Sequence, residues 1–152
     1  MPSDLWTFAS QCYARPGVEA ACLRLQAAGA DVCLLLCGLW LEQRGVACDD
    51  KRLAALKTLS DPWQCQVVQP LRELRQNWRE AAQLDAAQLH LREQVKALEL
   101  EAERELLRRL ETLAGAWPQQ PQPAAWLEAL AASAGKQHHD ALQVLRAVAD
   151  RT

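Results

Sequence analysis

The chain has 152 residues, 50% of them apolar and 24% charged, with a formal net charge of −2. That length supports one domain with a real core, and the near-balance of charge removes any electrostatic reason to seek nucleic acid or an anionic membrane. Leu and Ala dominate the apolar half while Phe and Tyr occur once each, a bias towards helices and against strands.

Ser3, with Asp4 in the first turn, is expected to cap a first helix whose apolar face is Leu5, Phe8, Ala9 and Cys12. Arg15-Pro16-Gly17 breaks it. Proline suits the first position of a new helix, so a second is expected from about Pro16 to Ala28, with Val18, Ala21, Cys22 and Leu25 turned inward and Gly29 as its stop.

Asp31 then caps the most apolar stretch, DVCLLLCGLWLEQRG. Its apolar run, Val32 to Leu41, is far short of the ~20 residues that cross a bilayer. A helix apolar on all sides is one buried on all sides. This is the expected centre of the core, ended by Gly45.

Asp49 or Asp50 is expected to cap a short fourth helix with Leu53, Leu56 and Leu59. Asp61-Pro62 reads as the start of another, and Pro70 as a kink or interruption. From Leu71 to Ala114 there is neither Gly nor Pro. The apolar seam slips near Asp85, where DAAQ resembles a capping box, so residues 63–114 are expected to form two antiparallel helices meeting there. The boundaries expected are a core domain over 1–116, a Pro/Gln linker over 117–123, and a helical pair over 124–152. Leu127, Leu130, Leu142, Leu145 and Val148 would form a docking face for that pair.

Six cysteines are scattered among these helices with no compact framework, which points to reduced, largely buried thiols. Cys33 and Cys37 share a helix face but sit among leucines with no further ligand nearby, so they read as packing. His138 and His139 are adjacent and point in different directions on a helix; His90 stands alone. No metal site and no cofactor are expected. Phosphate-loop, Ser–His–acid and zinc-hydrolase motifs are absent from the sequence.

The most informative charged run is ALELEAERELLRRL, residues 97–110. Glu101 can pair with Arg104, and Glu105 with Arg108 or Arg109, as ordinary surface chemistry. Glu99 and Glu103 differ, because they flank the apolar seam one turn apart and repel unless something intervenes. The plainer resolution is an arginine from another helix, such as Arg15 or Arg24. The functional one is a carboxylate-lined pocket in which Glu99 and Glu103 meet Tyr13, Arg15 or Arg24. Among the tryptophans, Trp117 and Trp126 bracket the linker and are the better candidates for a partner-facing surface, although core or clamp packing is the default reading for them. Arg72, Arg75 and Arg79 recur at helical spacing, but Glu73 and Glu80 interrupt any basic patch.

The stretches LWTFASQCYARPGVEAACLRLQ, GADVCLLLCGLWLEQRG and ALELEAERELL together resemble a family of short, uncharacterised proteobacterial proteins, a domain of unknown function. Leu98 stands where that pattern has Ala. The resemblance runs over most of residues 5–110 and brings no activity, cofactor or site residue. It implies a bacterial cytoplasmic protein of this helical layout, in keeping with an N-terminus that lacks the basic and apolar regions of a signal peptide.

The expected fold is therefore all-α: a compact multi-helix domain of about six to eight helices with a long antiparallel hairpin and a C-terminal helical appendage. The expected function is a non-enzymatic interaction or regulatory protein with a protein partner, without nucleic acid or membrane. The alternative is a small-molecule or metal-binding helical domain that uses Glu99 and Glu103.

Overall fold

The computed structural model describes residues 4–119 and 126–149. Nine α-helices and one π-helical turn make up the regular structure of those residues: α1 Leu5–Tyr13, α2 Val18–Ala27, α3 Val32–Gln43, α4 Asp50–Trp63, the π turn Gln64–Val68, α5 Gln69–Asn77, α6 Arg79–Leu84, α7 Ala86–Ala114, α8 Trp126–Gln137 and α9 His139–Ala149. No strand forms among the described residues; an isolated bridge pairs Val46 with Gln119. No helix among them is long and apolar enough to cross a membrane.

The all-round apolar sequence of α3 decides the architecture. With no polar face to offer water, it packs against α1, α2, α4, α7, α8 and α9, and every residue from Cys33 to Leu41 is buried. Gly38 is what lets α8 lie so close. A Cβ there would sit 2.8 Å from Leu130 Cδ1 and 3.2 Å from Trp126 Cβ. Trp126 is completely buried and donates its indole N–H to Val46 O at 2.8 Å, while Glu42 accepts from the Leu127 N–H at 3.1 Å and pairs with Arg146 of α9. Leu127, Leu142 and Leu145 are also core residues, so α8 and α9 share the core with α1–α3.

The hairpin is the second structural unit. Asp85 caps α7 by accepting from Ala87 N at 3.0 Å and Gln88 N at 3.3 Å, and α7 runs back along α6, α5 and α4. The outgoing arm starts at Asp50, because Asp61-Pro62 does not begin a helix. Pro62 lies inside α4. A proline removes one backbone donor and crowds the preceding turn, yet a helix held by tertiary packing absorbs this. Trp63 supplies such packing by donating its indole N–H to Ala102 O at 2.9 Å. At Pro70 the helix does change form. The π turn, closed by Gln69 N–H on Gln64 O, widens the spiral just where the proline ring would meet the carbonyl before it.

Three smaller expectations are corrected. Asp4 is the cap of α1, accepting from Thr7 N at 2.7 Å; Ser3 lies outside the described residues. Pro16 belongs to the turn before α2, which is entered through Gly17 at φ +85°. The arm before Asp85 is cut into three α-helices by the π turn and by Trp78, which raises the helix number above that expected. Residues 120–123 of the expected Pro/Gln linker lie outside the described residues.

Candidate functional site

Asp31 is where the site begins. As the cap of α3 its Oδ1 accepts from Leu34 N at 3.2 Å. The same carboxylate also accepts from Gln64 Nε2 at 2.9 Å and from Ser60 Oγ at 2.5 Å. The α3 cap is thus a brace to α4 and the π turn. Burial pushes the Asp31 carboxyl above its usual range, against the lowering effect of these hydrogen bonds.

Opposite, the hairpin brings α5 against α7. Glu99 is 5% exposed and lies between two guanidinium groups: Arg75 Nε donates to Oε1 at 2.5 Å and Arg72 Nε to Oε2 at 3.2 Å. Arg75 also donates through Nη2 to Oε2 at 3.3 Å. This is a closed, charge-assisted network. Glu103, one turn further along α7, makes no hydrogen bond or ion pair of its own among the described residues. Burial pushes its carboxyl up to about 7; the charges of Glu99 and Asp31 act the same way, against Arg72 and Arg75. Tyr13 closes the edge of this group. Burial, then Glu19, Cys22 and Glu103, push its phenol up to about 12.

Between these elements lies a cleft of about 280 Å³, whose lining includes Gly29 to Cys33, Gln64 and Cys65 of the π turn, Gln69, Arg72 and Glu103. Gly29 turns the chain into its rim with φ +99°. The π turn forms one wall, and such turns recur at functional sites because they re-aim side chains that a regular α-helix would stack in line. Two polar groups here retain unused capacity. Arg72 engages the described residues through Nε alone, leaving four terminal N–H groups, and Glu103 has both carboxyl oxygens to offer. Among the described residues no group of three or more His, Cys, Asp or Glu side chains is arranged to hold a metal ion.

A second depression, about 410 Å³, lies between the start of α1 and α7. Several of its charged groups are already engaged: Glu105 pairs with Arg108 at 2.8 Å, Arg104 stacks over Trp6 at 4.9 Å, and Glu111 accepts from Leu5 N.

The structure brings together only part of the group expected from sequence. Glu99, Glu103 and Tyr13 do converge. Arg24 does not join them, because it pairs with Asp140 of α9 at 2.8 Å. Arg15 lies in the exposed turn after α1. The arginines that neutralise Glu99 are Arg72 and Arg75. Trp126 is core rather than surface, and half-buried Trp117 stacks on it at 6.0 Å with planes 5° apart. Sequence reading missed Asp31 beyond its cap role, and Gln64, Gln69 and Arg72. The signal that points to them is the pair of prolines, Pro62 and Pro70, in a stretch that is otherwise helical.

A family model described as a protein of unknown function (DUF2390) matches residues 4–110. The match takes in Asp31, the π turn, Arg72, Glu99 and Glu103, and stops before α8. No curated protein and no solved structure matches the chain.

Proposed function

We propose that this chain, which belongs to the DUF2390 family of proteins of unknown function, is a helical domain that binds a small polar molecule in the cleft beside the π turn. The observation that carries this reading is the unspent hydrogen-bonding capacity of Arg72 and Glu103 in the lining of that cleft. A merely structural network satisfies its members, as Glu99 is satisfied; Arg72 and Glu103 instead keep donors and acceptors that line the cleft and engage no protein partner among the described residues. The lining mixes the donors of Arg72, Gln64 and Gln69 with the carboxyl groups of Glu103, Asp31 and Asp61, which suits an organic ligand. Screening the full chain against a library of polar metabolites by thermal shift tests the reading. A stabilising compound whose effect disappears in Glu103→Gln supports it. Stabilisation by none of them, or stabilisation unchanged in that variant, overturns it.

A second reading, a helical interaction protein, is favoured by a different observation. At the hairpin tip Leu84 of α6 is 92% exposed, and Leu91 and Leu98, one heptad apart on α7, are 49% and 51% exposed. Leu89 and Leu100, on the other flank of α7, are also exposed. Leucines so placed suit a helix–helix contact. Sedimentation velocity of the protein and of Leu84→Ser/Leu91→Ser tests for self-association. Loss of an assembly in the double variant supports this reading; a monomer indifferent to both changes, with no partner bound through that face, removes it.

A further inference from the structure

The chemistry of the cleft narrows the ligand class, an inference that rests on the small-molecule reading above. The opening of about 280 Å³ is at the small end of ligand pockets, which suits a metabolite the size of an amino acid. Its wall is polar and carries both signs of charge. It holds the four uncommitted terminal N–H groups of Arg72, whose planar fork matches a carboxylate. The same lining holds Glu103, Asp31 and Asp61.

Counting the charges decides between candidate ligands. Arg72 and Arg75 share Glu99, leaving one excess positive charge to face three carboxyl groups. A lone anion such as phosphate would meet those carboxyls. A lone cation would be repelled by the Arg72 charge and would leave its terminal N–H groups without an acceptor in the complex. A molecule with both charges answers both. We propose that the cleft takes a small zwitterion of the α-amino-acid type, its carboxylate on the terminal N–H groups of Arg72 and its ammonium on Glu103.

The groups facing Glu103 support this polarity: Arg72 and Arg75 from α5, Glu99 on its own helix, Asp31 from the start of α3, and Tyr13 from α1. None of them donates a hydrogen bond to it. An ammonium group arriving there supplies the missing donor and favours Glu103 as the carboxylate, so binding near neutral pH releases a fraction of a proton to solvent.

The test is an amide-shift titration of the isotopically labelled full chain with the common L-amino acids at millimolar concentration, beside putrescine as a cation-only probe and succinate as an anion-only probe. The expected result is that an amino acid shifts the amides of residues 29–33 and 64–72 and that its affinity falls at least about tenfold in Glu103→Gln. Glu103 makes no bond to the described residues, so that variant folds. Gln69→Ala, a change at an exposed position of the same wall, gives an independent reading of the site. Putrescine or succinate binding at these residues where no amino acid does overturns the zwitterion and leaves the cleft a ligand site. Shifts from no probe, or shifts elsewhere that Glu103→Gln leaves unchanged, overturn the inference together with the reading beneath it.

Discussion

Arg72 donates its Nε–H to Glu99 across the hairpin at 3.2 Å, and by doing so turns the rest of its guanidinium toward a cleft that also holds Glu103. One side chain therefore belongs both to the hairpin network and to the lining of the cleft. Glu99 is paired by two arginines, whereas Glu103, one turn along α7, makes no ion pair among the described residues.

Glu99→Ala removes the acceptor shared by Arg72 and Arg75, whose side chains are 17% and 23% exposed. Breaking a buried ion pair from one side strands the other charge. The expected cost is about 2–4 kcal/mol, toward the lower end of the usual range because both arginines keep some contact with water. Urea unfolding of variant and parent at neutral pH measures it.

Glu103 makes stability depend on pH in the opposite sense to a paired carboxylate. Its folded value of about 7 lies above the ordinary 4.5, so between those values the native state holds more protons than the unfolded chain. Stability is then full below 4.5 and falls as pH rises through 7. The fall is at most about 3 kcal/mol, each pH unit between the two values contributing about 1.4 kcal/mol. Asp31, also raised by burial, acts in the same direction. In Glu103→Gln the fall is smaller, and above neutral pH the variant is at least as stable as the parent. Thermal melts across a pH series check both statements.

Gly38→Ala tests the seating of α8. The added Cβ would lie 2.8 Å from Leu130 Cδ1 and 3.2 Å from Trp126 Cβ. Alanine gains up to about 1 kcal/mol in helix propensity, but overpacking against a fully buried tryptophan costs about 1–3 kcal/mol. Net destabilisation of about 1 kcal/mol is expected from these two opposing effects, with a change in the fluorescence of the tryptophans. Calorimetry and emission spectra read both.

The thiols should divide sharply. Cys65 is exposed, Cys48 half-buried, and Cys12, Cys22, Cys33 and Cys37 buried. Burial pushes Cys22 up to about 12 and Cys33 and Cys37 well above their ordinary range, so few of these thiols ionise at neutral pH. A chromogenic disulfide reagent should modify Cys65 fast and Cys48 slowly, reaching the buried four only after denaturation. Rapid modification of Cys33 in the native protein would contradict the closed core around α3.

Much of this layout is legible in the sequence where one local signal settles the matter. The uninterrupted apolar face of residues 32–41 demands a central helix, and Asp85 with its following turn announces the hairpin. Caps at Asp31 and Asp49 are readable in the same way, since each accepts from the backbone three residues on. What cannot be read is the rotation of one helix against another. Whether Arg24 or Arg72 meets Glu99 depends on how α5 turns onto α7, and the π turn resets that register. The prolines around it signal a breakage, yet packing keeps the arm helical. The burial of Trp126 matches the default reading of a tryptophan as core, but what makes room for it, the gap at Gly38 far away along the chain, is not legible in the sequence.

The most direct measurement is the ionisation of Glu103, followed by the carboxyl carbon shift of the labelled protein across pH, with Glu103→Gln for assignment, free and with the amino acid that produces the largest amide shifts. A midpoint of about 7 is expected in the free protein, with a fall of about one unit or more when the ammonium partner binds. A free midpoint in the ordinary carboxylate range, or one that the ligand leaves unmoved, would contradict the proposed site.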